Sequence, residues 1–142
     1  MTKKSLWKAG GLVSVLLLVA GCASAKIRIN GPQGSISHPS LKLCPGTLVE
    51  LTVRNQQGAP VTVQSRVAAG QVQFDSRELK RDVELTQIVT LELRVVHVPS
   101  NPGTAECPFH DGDVFTAGPL VLRPVAGQKD TYTVNLDEFH PR

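Results

Sequence analysis

Alternation with a period of two is the feature that most limits what this chain can become. Val49, Leu51 and Val53 alternate with Glu50, Thr52 and Arg54, and Val89, Leu91, Leu93 and Val95 recur at every second position within Ile88 to Val98. Successive side chains of an extended strand point to opposite faces, so this pattern builds strands with one buried and one solvated face. No comparable helical stripe follows the N-terminal segment. Shorter runs occur at Ile27 and Ile29, at Leu41 and Leu43, at Val61, Val63, Ser65 and Val67, and at Val72 and Phe74. Others are Val114-Phe115, Leu120 to Leu122, and Tyr132, Val134 and Leu136. Between them lie Cys44-Pro45-Gly46, Asn55 to Pro60, Pro99 to Gly103, Gly112-Asp113 and Gly127, where Gly permits positive φ and Pro presets a bend. Ser76 to Asp82 is charged and reads as one helical turn or a solvated loop. The pattern predicts an all-β sandwich or small barrel. The expected form is a small two-sheet β-sandwich of about seven or eight short, mainly antiparallel strands.

The N-terminus is of another kind. Lys3, Lys4 and Lys8 precede an apolar run from Ala9 to Ala20. That run is too short to cross a hydrocarbon core of about 30 Å as a helix, and with its basic start it reads as a secretory signal over residues 1–21. Val19-Ala20-Gly21-Cys22 resembles the bacterial lipobox, in which the thiol is diacylglycerated, the chain is cut before the cysteine, and the new amine is acylated. The resemblance implies lipidation at Cys22 and stable anchoring, because several acyl chains hold where a single one does not. Ala23 and Ser24 follow. In that family an Asp directly after the cysteine retains proteins in the inner membrane, so its absence implies the periplasmic face of the outer membrane. The expected organisation is a signal at 1–21, a lipidated Cys with a short linker at 22–26, and a single domain at 27–142. So short a linker keeps the domain close to the membrane surface.

On this reading the formal charge of +3 misleads. Removing Lys3, Lys4 and Lys8 from fifteen basic residues leaves twelve, against twelve acidic ones. A neutral domain lacks the electrostatic footprint of nucleic-acid binding, so that class of partner is excluded. Of three cysteines, Cys44 and Cys107 remain after Cys22 is lipidated. In an oxidising compartment they are expected to form a disulfide, and the rival reading is a metal site.

That rival draws on the cluster from Glu106 to Asp113. Cys107 and His110 resemble the C-x-x-H end of copper-binding cupredoxins, and Pro45-Gly46-Thr47 leading to Asn55 resembles the strand before their first histidine. The likeness departs at the ligands. No histidine lies between Asn55 and His97, and no methionine follows His110, whereas a blue-copper site needs two histidines, a cysteine and usually a weak axial ligand. No metal and no cofactor is therefore expected, with Cys107 and His110 kept as alternative ligands. Asp111-Gly112-Asp113 hints at a calcium loop, but Phe115 stands where a ligand is needed. Ser65, Ser76 and Ser100 lack the glycines of a nucleophile elbow, and His38, His97, His110 and His140 stand in no motif. Asp137 and Glu138, in an extended stretch, would point to opposite faces. No catalytic residue is expected, and no enzyme.

Three stretches together carry a family resemblance. Leu41 to Val53 places a proline turn before alternating Val, Leu and Thr. Val72 to Val98 joins a Phe-containing strand, a polar stretch and a long alternating strand. Asp113 to Thr116 followed by Pro119 to Leu122 sets a Phe-Thr pair ahead of a Pro-Val segment, as in a closing hairpin. In this order they resemble the small outer-membrane lipoproteins that act as pilotins for type III secretion secretins, and their YbaY-like relatives. The short linker after Cys22 favours the pilotin side. The resemblance implies a protein that binds secretin subunits in the periplasm and brings them to the outer membrane. Phe109 and Phe115, among few aromatics, are candidate contacts for that partner, or else members of the core.

Overall fold

The alternating runs fold as strands whose burial follows the alternation. In β1 (Ala25–Asn30), Ala25, Ile27 and Ile29 are buried while Lys26, Arg28 and Asn30 are partly exposed. In β5 (Ile88–His97), Val89, Leu91, Leu93 and Val95 are buried between exposed or half-buried neighbours. The structure, a computed structural model, describes residues 23–31, 44–68, 70–99, 107 and 109–142. Among these the remaining strands are β2 (Leu48–Asn55), β3 (Val61–Arg66), β4 (Gln71–Ser76), β6 (Val114–Val121), β7 (Arg123–Pro124), β8 (Thr131–Asn135) and β9 (His140–Pro141). One short helix, α1 (Arg77–Asp82), follows β4, and a single 3-10 turn (Leu136–Glu138) follows β8. The run at Leu41 and Leu43 lies outside the described residues.

Two sheets face each other, in the orders β4-β1-β8-β7 and β3-β2-β5-β6-β9. The expected all-β two-sheet sandwich is the fold of the chain. Pairing is antiparallel except between β1 and β8, which run parallel with Lys26 beside Thr131 and Asn30 beside Asn135. The inner faces meet in one core, with Phe74, Ile27, Leu51, Leu91, Leu136 and Phe139 fully buried. Burying one such side chain is worth about 1.5–3 kcal/mol.

Three expectations change on inspection. Val114-Phe115 and Leu120 to Leu122 are not two arms of a hairpin, because β6 runs through both as one strand. Ala117 pairs with Leu91 and Leu120 with Val89, so Gly118 and Pro119 together oppose Thr90 in a β-bulge. Gly118 sits at φ +105, and a Cβ there would lie 2.7 Å from the Val89 carbonyl oxygen. Asp137 and Glu138 are not extended, since both lie in the 3-10 turn. The domain also starts earlier than residue 27, because Ala25 already pairs with Ser76 and is 1% exposed.

The topology gives the sandwich two distinct ends. One gathers the start of β1, the end of β4, α1, residues 83–87, the start of β5, the end of β6 and the turn before β8. The other gathers the turn at 44–47, Val67, Ala68 and Gly70, and the described residues between β5 and β6. It is held by bonds from Gly46 N–H to the Val67 carbonyl and from Gly31 N–H to the Gly70 carbonyl.

Candidate functional site

The second end carries the residues that sequence reasoning singled out. Cys44 opens the turn before β2, and Cys107 lies in the β5–β6 connection, 63 positions later. Their Cα atoms are 5.9 Å apart and their sulfurs are bonded, so the expected Cys44–Cys107 disulfide is present. Cys44 is buried and Cys107 partly so. The bridge ties the longest connection of the second sheet to the first turn of β2.

Beyond the bridge the connection is held by its own polar groups. The Asp111 carboxylate accepts the Val98 N–H at 2.7 Å and lies 3.1 Å from His97 Nδ1. The Val98 N–H first, and then His97, hold this carboxyl below the usual carboxylate range. Asp113 accepts the His110 N–H at 2.8 Å, and its carboxylate is 3.7 Å from His110 Nδ1. Gly112, at φ +91, turns the chain between them and donates its N–H to the Val95 carbonyl. These residues shape a turn, as the spacing of Asp111-Gly112-Asp113 suggested. The pairing of His97 with Asp111 had no signal in the sequence.

Phe109 and Phe115 are buried, 4% and 6% exposed, and meet edge to face with ring centroids 5.4 Å apart and planes at 76°. The contact has the geometry aromatic quadrupoles favour. Both rings belong to the core beneath the loop rather than to a contact surface.

The alternative ligands Cys107 and His110 are both described. The Cys107 sulfur is spent on Cys44, and the His110 side chain is 83% exposed. Among the described residues, no group of three or more His, Cys, Asp or Glu gathers as a metal cage would require. Ser65 donates its hydroxyl to the Gln73 carbonyl at 2.7 Å, pinning β3 to β4 across the two sheets. Ser76 caps α1, accepting the N–H groups of Glu78 and Leu79. The signal at 1–21, Cys22, His38 and Ser100 lie outside the described residues.

The first end is built differently. A shallow open cavity of about 270 Å³ lies there, walled by Ala25, Leu79, Val83, Leu85 and Tyr132, with the Lys80–Asp130 ion pair also on its wall. Lys80 donates to Asp130 at 2.6 Å, a bond that raises its pKa. Arg81 pairs with Asp82 at 2.9 Å and holds that carboxyl below its ordinary value. Comparison with protein-family models, curated proteins and solved structures finds no match for this chain.

Proposed function

We propose that this chain is a non-catalytic, lipid-anchored protein of the periplasmic face of the outer membrane. Its role is that of a pilotin, which binds secretin subunits of a type III secretion system and brings them to that membrane. The observation that carries the reading is where the three resembling stretches fall. Of the four strands they hold, β2, β5 and β6 are consecutive neighbours in one sheet, and β4 lies in the sheet facing it. The position of β1 fits the pilotin side of the resemblance, which the short linker favours. Ala25 is already buried three residues after Cys22, which leaves the domain almost no tether. A β-domain of this kind recognises a partner segment through a sheet edge or an apolar groove.

The test is membrane fractionation of cells with and without the gene, following the host's type III secretin as a heat-resistant multimer. Loss of outer-membrane multimers in the deletion, restored by the wild type but not by Cys22→Ser, is the expected outcome. An unchanged secretin would remove the proposal. The alternative, a cupredoxin-like periplasmic metal-binding lipoprotein using Cys107 and His110, needs the disulfide opened first, because a sulfur bonded to sulfur offers no thiolate ligand. Stoichiometric copper in purified protein with two free thiols would favour that alternative.

A further inference from the structure

Among the described residues, the large apolar side chains that stand exposed are Ile88, at 44%, and Val121, at 54%. They are cross-strand partners, Ile88 opening β5 and Val121 closing β6. Because the next residue, Val89, is buried, Ile88 points to the outer face of its sheet, and exposed Pro119 precedes the pair on β6. Scattered exposed aliphatics are ordinary on any protein surface. These two are adjacent, and they lie at the end of the sandwich where β1 begins. Ile88 is two residues from Thr86, which shares the cavity wall with Ala25. Three residue steps separate Cys22 from Ala25, a reach of about 10 Å at full extension.

We infer that this end of the domain seats on the lipid surface, with Ile88 and Val121 in contact with the bilayer interface. The inference rests on the reading that Cys22 is acylated, and it adds an orientation to it. A tether of that length holds the first end against the headgroups and leaves little freedom to turn it away. Charge at this end is mixed: Lys80 and Arg81 are paired with Asp130 and Asp82, while Lys129 and the acid Glu84 both stand exposed. Apolar contact through Ile88 and Val121 supplements the acyl chains. In this orientation the end carrying the Cys44–Cys107 bridge and the β5–β6 connection faces the periplasm.

The sequence makes the test clean. The single tryptophan, Trp7, falls within residues 1–21, so a processed chain would have none. Full-length Ile88→Trp and Val121→Trp proteins, with Ala68→Trp as an exposed probe at the opposite end, are purified from membranes and reconstituted in phosphatidylethanolamine–phosphatidylglycerol vesicles. Part of the lipid carries bromine on its acyl chains. The expected result is that all three float with the vesicles, that emission from Ile88→Trp and Val121→Trp is quenched and blue-shifted, and that emission from Ala68→Trp is not. Flotation with no quenching of either, or with equal quenching of Ala68→Trp, overturns the orientation and leaves acylation standing. Failure to float, with no acyl mass on Cys22, overturns both.

Discussion

The hydroxyl of Ser76 accepts N–H bonds from Glu78 at 3.0 Å and Leu79 at 3.4 Å, and so satisfies donors that the first turn of α1 cannot pair itself. Ser76→Ala is expected to cost about 1 kcal/mol in urea unfolding, the usual worth of an N-cap. Glu138 controls a different property. Burial raises its carboxyl, but the Arg123 guanidinium and the Asn135 N–H outweigh burial and leave it below the ordinary glutamate value. A carboxyl lowered by folding contributes stability above its unfolded pKa and loses it as pH falls through the folded one. Melting temperature should therefore drop on acidification below the usual glutamate range, and Glu138→Gln should make that drop shallower in thermal melts at stepped pH. An unchanged slope would mean the Arg123 contact contributes nothing. The Ser76 cap was half legible, since Ser followed by charged residues admitted one helical turn. The bond between His97 and Asp111 was not, because only the folded β5–β6 connection brings position 97 to position 111.

Apart from β6, strands longer than four residues announced themselves through alternation, whereas β7 and β9, of two residues each, are too short to show a period. The bulge hid β6 in another way. An extra residue resets the inward-outward alternation, so one strand looked like two separate runs. Gly118 is the position that permits it. Gly118→Ala would force a Cβ against the Val89 carbonyl at a φ that L-residues avoid, and a loss above about 1 kcal/mol is expected in denaturant titration. The disulfide was legible from compartment and count, but its geometry was not. Closing a loop across 63 positions restricts the unfolded chain, so replacing both Cys44 and Cys107 with Ser should lower unfolding stability by about 4 kcal/mol on the chain-entropy estimate. A much smaller loss would mean that the polar contacts of Asp111 and Asp113 hold the connection unaided.

For the molecule as a whole, the fold class followed from the alternating pattern, while the order of strands did not. β1 lies between β4 and β8, and its partner in β8 is more than a hundred positions away in the chain. No local signal encodes such a pairing, and contacts this remote form slowly because their loop entropy must be met first. One consequence is that β1 is not a dispensable arm. A chain lacking residues 25–30 would split the first sheet into β4 on one side and β7–β8 on the other. It is expected to lose the cooperative thermal transition seen by circular dichroism, and retention of a sharp transition would show that the second sheet folds without it.

The same placement has a mechanical meaning. A pull on the N-terminal end of β1 runs along the strand, and the backbone hydrogen bonds to β4 and β8 lie across that direction. Such a load shears both ladders at once instead of unzipping one bond after another. A load entering through residues 23–25 therefore meets a strand that is paired along both edges.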